Sequence, residues 1–335
     1  MRNNKSGMAL LPILLIFVVV GLIASFLVKN QGMDIRLTSN LIEQVQAQHY
    51  AIGAETQARE ILLKDLEANK IDHIKEDWYG RHVMKLKDAQ VSYVIEDMQG
   101  RFNLNTLIKA KEVAEKNGNK VTDKIPEKAP VEENNKGEQV ANDKGLNILT
   151  NILKKENISE KTADAFMDWL DADDIVRPNG AEDREYIVYG TQPFYKTGDG
   201  MIMDISEMRL IRGIDANIYT RLIKSLVALP SDATKININT APDYIIKAAI
   251  SNDADLEAVT QAKRKNYIDK AELGKILPRN EIFGVTSEYF IVYVKAHYGN
   301  ADVYTASLLY REPGKENEKG QVKVIWRKFV KRFDI

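Results

Sequence analysis

Apolar positions are distributed unevenly along the chain, and the longest apolar run lies near its start. Residues 8–28 are 21 consecutive uncharged and mostly apolar residues. As an α-helix rising about 1.5 Å per residue, such a run is long enough to cross the ~30 Å hydrocarbon core of a bilayer. Arg2 and Lys5 precede the run, which predicts that the N-terminus faces the cytoplasm. The pattern predicts a single membrane-spanning helix.

The apolar run continues into an amphipathic segment. Met33, Leu37 and Leu41 recur at helical spacing, and alanines are interspersed from Ala47 onward. We therefore predict one helix over residues 8–66, about 90 Å long if unbroken, with residues 8–28 in the membrane. Gly32 is the position at which we expect this helix to bend or fray, because glycine is a poor helix former.

Strand-like patterns lie on both sides of a helical block. Two predicted strands lie at residues 83–86 and 90–96, and three more follow residue 287 with connections that suit an antiparallel meander. Between them, helical spacing covers residues 146–229, including predicted helices at 159–174 and 217–229, and then residues 242–277. This order predicts an α+β fold in which one antiparallel sheet is interrupted by an inserted all-α domain.

A polar segment, residues 110–145, separates the first strands from the helical block. It is rich in Lys, Glu, Asn, Gly and Pro and has no aromatic residue, so burial cannot offset the entropy of ordering it. We predict a flexible surface loop here. The predicted organisation is then a leader at 1–7, the long helix at 8–66, a body formed by 67–108 and 284–335, and an inserted domain at 146–283.

Composition excludes several kinds of site. The formal net charge of −1 provides no global attraction to nucleic acid, and the absence of cysteine excludes disulfides, thiolate metal sites and a cysteine nucleophile. No phosphate-binding loop, dinucleotide fingerprint or serine-hydrolase elbow occurs. The histidines lie far from metal-ligand spacing and are interpreted as surface or packing residues: His49, His73, His82 and His297. We therefore expect a protein that is not an enzyme.

The densest chemical constellation is an acidic segment at residues 168–186. Pro178, Asn179 and Gly180 predict a tight turn that folds its second half back toward its first. Carboxylates this close repel one another unless a cation lies among them, and Ca²⁺ accepts many oxygens at irregular angles. The spacing does not fit an EF-hand, and a solvated acidic helix end stays an alternative. The carboxylates are Asp168, Asp171, Asp173, Asp174, Glu182, Asp183 and Glu185.

Two short stretches resemble each other, RFNLNT at 101–106 and KININT at 235–240. Thr106 and Thr240 are placed to cap the following segments, and the paired asparagines can bond local backbone, so a structural role is favoured. The second stretch also resembles helix-hairpin-helix modules, some of which bind DNA phosphates. Acidic residues, Asp253 and Asp255 among them, replace the Gly-rich hairpin that such modules use, which argues against a nucleic-acid partner.

The start of the chain resembles the N-terminus of the type IV pilin superfamily. A short basic leader ends in Gly7, and Met8 opens the uninterrupted apolar helix. The resemblance implies cleavage between Gly7 and Met8 by a prepilin peptidase on the cytoplasmic side, followed by N-terminal methylation. Most pilin-like subunits carry Glu five residues into the mature chain, whereas this chain has Pro12. In this superfamily, the lack of that acid is the mark of a filament-tip subunit. In this respect the chain resembles minor pseudopilin K of type II secretion.

Further motifs occur in the order seen in that family: DWLDAD, PNGAED, DISEMRLIRGID at 204–215 and NINTA at 237–241. The resemblance implies calcium in the inserted domain, with the ligands Asp168, Asp171, Asp173, Glu182 and Asp183. Further candidates by the same resemblance are Asp174, Glu185 and Glu207. It also implies a single-pass protein of the bacterial inner membrane with a periplasmic body. Such a subunit starts the pseudopilus together with minor pseudopilins I and J and supports protein export across the outer membrane.

Two other functions stay open at the level of sequence. A membrane-anchored helix-hairpin-helix protein of DNA uptake would bind duplex DNA through residues 146–280 in a salt-sensitive way. A type IV minor pilin would usually keep the Glu that Pro12 replaces and would lack the large insert.

Overall fold

The computed structural model describes residues 10–110, 139–188, 194–314 and 319–330. In these ranges the α-helices are α1 Leu10–Ala68, α2 Asp143–Lys155, α3 Thr162–Leu170, α4 Asp183–Val188, α5 Ala216–Leu222, α6 Asp243–Ala249, α7 Asp253–Lys265 and α8 Lys270–Ile276. The strands are β1 Gly80–Lys85, β2 Ala89–Asp97, β3 Phe102–Asn103, β4 Ile108–Ala110, β5 Gln139–Ala141, β6 Leu226–Val227, β7 Ile236–Asn237, β8 Phe283–Gly284, β9 Tyr289–Tyr298, β10 Ala301–Glu312 and β11 Gln321–Val330.

Helix α1 is one unbroken element of 59 residues. It continues through Gly32, so the bend or fraying expected there is not found. The helical hydrogen bonds of the neighbouring turns outweigh the cost of about 1 kcal/mol for one glycine. Its apolar first half is exposed, and among the described residues α1 is long and apolar enough to cross a membrane.

The second half of α1 packs on the sheet through small side chains. Ala47, Ala51, Ala54 and Ala58 are fully buried at a spacing of three to four residues, and Leu62 extends the same stripe. Residues at that spacing share one face of a helix, and alanine lets the helix backbone approach the strands closely. The apolar core formed there also contains residues of β2 and β9.

The main sheet has five antiparallel strands in the order β1-β2-β9-β10-β11. Strands β9, β10 and β11 form the predicted meander. Strand β2 pairs with β9 from Ala89↔Tyr298 to Asp97↔Phe290, so segments from both sides of the helical block are neighbours. The predicted α+β fold, one antiparallel sheet interrupted by helices, is confirmed.

The helical region has its own hydrophobic core, which includes Ile148, Phe166 and Ile245. Phe102 and Leu104, which the sequence pattern assigned to the body at 67–108, also pack in this core. They are drawn there because β3 pairs in parallel with β6 of the helical region.

The same pairing corrects the predicted helix at 217–229. Helix α5 ends at Leu222, and Leu226–Val227 form the short strand β6. The backbone N–H of Leu229 donates to Asn103 Oδ1 at 3.0 Å. Helical periodicity in the sequence was outweighed by this contact with a segment more than 100 positions earlier in the chain.

The predicted flexible loop at 110–145 is structured at both of its ends. Strand β4 pairs with β5, and α2 begins at Asp143 because Asn142 caps it by accepting from the backbone N–H of Gly145 at 3.3 Å. The helix therefore starts before residue 146, where it was predicted to start. Residues 111–138, the middle of the predicted loop, lie outside the described residues.

Candidate metal centre

The acidic segment begins where helix α3 ends. The predicted helix at 159–174 is shorter in the structure, because α3 begins at Thr162 and the backbone of Asp171 is extended; the N–H of Asp171 makes the last helical hydrogen bond, to Met167 O at 2.9 Å. This ends the helix at Leu170. Asp168 lies on the last helical turn and is fully buried, whereas Asp173 lies in the exposed loop that follows.

The predicted turn at 178–180 is present and brings the two acidic halves together. The N–H of Gly180 donates to Arg177 O at 3.0 Å, and the side-chain amide of Asn179 donates to Asp164 at 2.8 Å. A Cβ atom on residue 180 would lie 1.8 Å from Asp168 Oδ2, so only glycine fits at this position. After the turn the chain reaches Glu182 and enters α4.

Three of the predicted ligands converge. Asp171, Asp173 and Glu182 each offer a carboxylate oxygen within 4.8 Å of the others. Glu182 is only 2% exposed, and neither of its oxygens has a hydrogen-bond partner among the described residues; the same holds for Asp171 Oδ1. Burial, reinforced by the charges of Asp168 and Asp171, raises the pKa of Glu182 to about 8. A buried carboxylate without donors is costly, and a cation is the ligand that would stabilise it.

Asp168 is engaged by Arg177. Arg177 Nη1 donates to Asp168 Oδ1 at 2.7 Å and to Asp171 Oδ2 at 2.5 Å, and the backbone N–H of Arg177 donates to Asp168 Oδ2 at 3.1 Å. Burial raises the pKa of Asp171, and the interactions with Arg177 reduce that rise. Asp168 therefore lies beside the three converging carboxylates with both of its oxygens bonded.

The other predicted ligands have protein partners. Asp183 accepts from Lys196 Nζ at 2.7 Å and from the backbone and hydroxyl of Thr197 at 2.9 Å. Burial alone would raise the pKa of Asp183, but these hydrogen bonds lower it. Glu185 accepts from the N–H of Glu182 at 3.1 Å.

Glu207 and Asp174 also lie apart from the three converging carboxylates. Glu207 belongs to a capping box with Asp204 and accepts from the N–H groups of Met203 and Asp204. Asp174 is exposed on the loop after α3. Neither is among the described carboxylates that could share one ion with Glu182.

Sequence reasoning missed Asp199. Its charge contributes to raising the pKa of Glu182, and its backbone has a positive φ of 46°, unusual for a residue other than glycine. Its carboxylate accepts from Thr197 Oγ1 at 2.7 Å. The available signal was the Gly-Asp-Gly stretch at 198–200, an acid in a segment too flexible to be helical.

Comparisons with known proteins establish the family. A family model described as type II secretion system (T2SS), protein K, matches residues 100–231, which include the whole acidic segment. Type II secretion system protein K of Pseudomonas aeruginosa is 30% identical over 98% of this chain and 93% of its own length. The chain belongs to the type II secretion system protein K family. The namesake of Pectobacterium carotovorum is 28% identical over 92% of this chain and 94% of its own.

A solved structure shows the same fold. A chain of the GspK-GspI-GspJ complex from the enterotoxigenic Escherichia coli type 2 secretion system matches with a TM-score of 0.65 and 22% identity. The match covers 88% of this chain and 99% of that chain. Membership of the protein K family makes this chain a minor pseudopilin of type II secretion.

A second acidic group in this pseudopilin lies in the body. Asp65, Asp72 and Glu76 also have carboxylate oxygens within 4.8 Å of one another. Here Arg311 lies among them, with Nη1 2.7 Å from Asp65 and Nη2 2.5 Å from Asp72. Glu76 accepts from the N–H of His73 and from Trp78 Nε1, both at 2.8 Å. Burial, with the charge of Glu76 second, raises the pKa of Asp65 to about 7. The carboxylates of this second group are therefore already paired with donors of the protein itself.

The two Asn-x-Asn-Thr stretches make structural hydrogen bonds, but neither threonine caps the following segment as predicted. After the second stretch, the N-cap position of α6 is Pro242, which makes no side-chain cap hydrogen bond. Asn103, not Thr106, caps the following 3₁₀ turn by accepting from the N–H of Asn105 at 3.2 Å; Thr106 Oγ1 donates to Asn103 O. A threonine side chain can cap, but Thr106 lies inside the turn, and Asn103, three positions earlier, has the extended backbone that a cap requires. In the second stretch, Asn237 and Thr240 donate to the buried Asp97 of β2 and so connect the helical region with the sheet.

The predicted surface or packing roles of the histidines agree with their contacts. His73 stacks on Tyr267 and His82 stacks on Tyr93, with ring centroids 4.4 and 4.8 Å apart. His297 Nδ1 lies 2.8 Å from a carboxylate oxygen of Asp302 at the exposed end of the sheet. His49 is exposed on α1.

Proposed function

We propose that this minor pseudopilin joins minor pseudopilins I and J at the tip of the pseudopilus and starts its assembly, thereby supporting protein export across the outer membrane. Residues 8–28 anchor it in the bacterial inner membrane, with the N-terminus in the cytoplasm and the body in the periplasm. A prepilin peptidase cleaves between Gly7 and Met8, and the new N-terminus is methylated. Gly7 and Met8 lie outside the described residues.

The observation that carries this proposal is the bare apolar surface of α1 beyond the membrane-spanning segment. Met33, Leu37 and Leu41 recur every four residues there, and each exposes more than half of its side chain. Among the described residues of α1, the apolar side chains buried against the sheet begin at Ala47. Apolar side chains at helical spacing are stabilised by neighbouring helices, and the related solved chain is part of a complex with GspI and GspJ.

The tip position rests on Pro12. A carboxylate in the bilayer is expensive and persists only with a partner, which pilin-like subunits provide through the free amino group of a neighbour. Pro12 replaces that carboxylate, so this subunit needs no neighbour ahead of it. The helical region, added to a pilin-like body, makes the subunit too bulky for a regular filament and suits it to cap one.

The test is assembly with purified I and J in detergent micelles. Leu37→Glu and Leu41→Glu place a charge on the bare apolar stripe, and we expect each to reduce co-purification of I and J at least tenfold. Ser39→Glu adds the same charge to an exposed polar position of the same helix and serves as the matched control. Unchanged co-purification of all three variants would contradict the proposal.

The processing step has its own experiment. The intact mass and N-terminal sequence of the membrane-extracted chain should show a methylated start at Met8 only when the prepilin peptidase is present. A chain that keeps Met1 under both conditions would be an uncleaved anchored protein. That result would favour the alternative of a membrane-anchored helix-hairpin-helix protein of DNA uptake. That alternative is opposed by Asp253 and Asp255, which occupy the first turn of α7 where a phosphate would bind.

We also propose that Asp171, Asp173 and Glu182 hold a calcium ion that braces the helical region. The support is the buried pair of Glu182 oxygens without donors and the oxygen-only set of ligands, which suits calcium better than zinc. We propose no catalytic activity. Isothermal titration of the full chain in micelles should show calcium binding that Glu182→Gln abolishes; equal binding by both proteins would exclude this ligand set.

A further inference from the structure

Arg177 lies in an unusual position for a cation, directly beside the proposed calcium site. Its guanidinium contacts Asp168 Oδ1 at 2.7 Å and Asp171 Oδ2 at 2.5 Å, and its side chain is 29% exposed. Arginine stays charged at any physiological pH, and its planar fork can hold carboxylates in a defined orientation. The proposed site therefore contains a positive charge that belongs to the chain itself.

The contact with Arg177 makes the two carboxylate oxygens of Asp171 different. Oδ2 accepts from Arg177, while Oδ1 is buried, has no partner among the described residues and belongs to the residue that converges with Asp173 and Glu182. A carboxylate held in this way offers one oxygen to a cation in a defined direction. Without Arg177, rotation about χ2 could exchange the two oxygens or present both.

Asp168 is held away from the site by the same arginine. Its two oxygens accept from the side chain and from the backbone N–H of Arg177, and Gly180 closes over Oδ2. The buried acid is therefore neutralised inside the protein. Three carboxylates, those of Asp171, Asp173 and Glu182, are left to face the ion.

We infer that Arg177 is a positioning residue of the proposed calcium site, which orients Asp171 and keeps Asp168 out of the ion's ligand shell. This inference rests on the calcium site proposed above. For calcium affinity, a positioning role and a purely electrostatic role of Arg177 predict opposite effects of removing its side chain. If Arg177 were only a nearby positive charge, its removal would tighten calcium binding, because like charges repel. If Arg177 orients a ligand, its removal weakens binding.

The experiment measures calcium affinity by isothermal titration of the full chain in detergent micelles. We expect Arg177→Gln to weaken calcium binding about 10- to 100-fold, the usual effect of losing an outer partner of a metal ligand. Arg177→Lys keeps the charge but loses the fork, and should recover part of the affinity. Arg184→Gln, which removes a charge from an exposed position of α4, is the matched control and should bind calcium as the unchanged chain does.

A double variant separates positioning from folding. Arg177→Gln alone leaves Asp168 buried without a cation, which can destabilise the protein. Arg177→Gln combined with Asp168→Asn removes both charges, and its calcium-free melting temperature reports whether the fold is retained. Weak calcium binding by a folded double variant supports the inference, because Asp171 has still lost its orienting partner.

The outcomes distinguish this inference from the proposed site itself. Tighter binding by Arg177→Gln, or affinity equal to the unchanged chain in the double variant, would overturn the positioning role while leaving the calcium site in place. Failure of the unchanged chain to bind calcium would remove the site and this inference together. Weaker binding by Arg177→Gln and by the double variant, with Arg184→Gln unaffected, is the expected result.

Discussion

The molecule contains two groups of three acids that look alike by distance and differ in what faces them. Asp65 lies near the end of α1, and Asp72 and Glu76 lie in the segment between α1 and β1, whereas Asp171, Asp173 and Glu182 lie in the helical region. In both groups the carboxylate oxygens approach within 4.8 Å. In the first, Arg311 and several N–H groups donate to the acids; in the second, the buried Glu182 has no donor among the described residues.

The difference shows that acid density alone does not indicate a metal site. A carboxylate cluster can be stabilised by an arginine, by N–H donors or by an ion, and the hydrogen-bond partners of each oxygen tell these cases apart. The body group uses an arginine from the distant strand β10, and Arg311 is 239 positions from Asp72. In the other group, Asp171 is the one member that pairs with an arginine among the described residues, and the same Arg177 also pairs with the neighbouring Asp168.

The largest effect should follow from removing the arginine of the body group. Arg311→Gln leaves Asp65 and Asp72 buried without their cation, and we expect a loss of about 3–5 kcal/mol in the free energy of unfolding. Denaturant unfolding in micelles, followed by tryptophan fluorescence, measures it. Lys323→Gln breaks the more exposed ion pair with Glu312 and should cost less than about 1 kcal/mol. Equal small losses in both variants would show that the body acids do not depend on Arg311.

Calcium should stabilise the chain through only one of the two groups. At a free calcium concentration of about 100 times Kd, the unfolding free energy should rise by about 2.7 kcal/mol, and a chelator should reverse the rise. Glu182→Gln should lose this calcium-dependent increment, whereas Glu76→Gln should keep it, whatever its own stability. Loss of the increment in Glu76→Gln instead would place the ion in the body.

The pH dependence should differ between the two groups as well. Folding raises the pKa of Glu182 from 4.5 to about 8, so the folded chain binds a proton that the unfolded chain has released. Stability from this group is therefore complete below about pH 4.5 and is lost as pH rises toward 8 in calcium-free buffer. Glu182→Gln should remove this contribution to the pH dependence of the unfolding free energy.

Calcium provides the comparison for this pH experiment. A bound ion favours the charged form of Glu182, so calcium should reduce the contribution of Glu182 to the pH dependence of the unfolding free energy. The contribution of Asp65, whose pKa rises from 3.8 to about 7, should persist, because burial and the charge of Glu76 cause that rise and the proposed calcium ion does not bind at this group. Unfolding free energies measured from pH 5 to 8 check this. If neither calcium nor Glu182→Gln changed the pH dependence of the unfolding free energy, the assignment of part of that dependence to Glu182 would be contradicted.

The smallest effect should come from Asp199. Its charge reaches Glu182 through space, so Asp199→Asn should weaken calcium binding by about twofold to fivefold. Asp88→Asn, at the exposed turn between β1 and β2, removes the same charge far along the chain and should leave the affinity unchanged. An effect of Asp199→Asn as large as that of Glu182→Gln would make Asp199 a direct ligand.

Much of the fold could be predicted from local patterns. The apolar run beginning at residue 8 and the spacing of the alanines of α1 indicate the long helix, and the runs of β-branched and aromatic residues in β9 and β10 indicate strands, although these two strands are buried along most of their length. The predicted helix at 217–229 failed because the pairing of Leu226–Val227 with Phe102–Asn103 is not visible in either segment alone. Short segments take the structure that their distant partners impose.

For the acidic segment, the sequence predicted the turn at 178–180 and, through the family resemblance, proposed Asp171, Asp173 and Glu182 among the calcium ligands, an assignment that stays a prediction. It did not separate them from Asp168, whose oxygens Arg177 occupies, or from Asp183, which Lys196 and Thr197 hold. Only tertiary structure decided these roles. Hydrogen bonds and burial depend on which side chains meet in space, and a carboxylate with donors and one without donors are the same letter in a sequence.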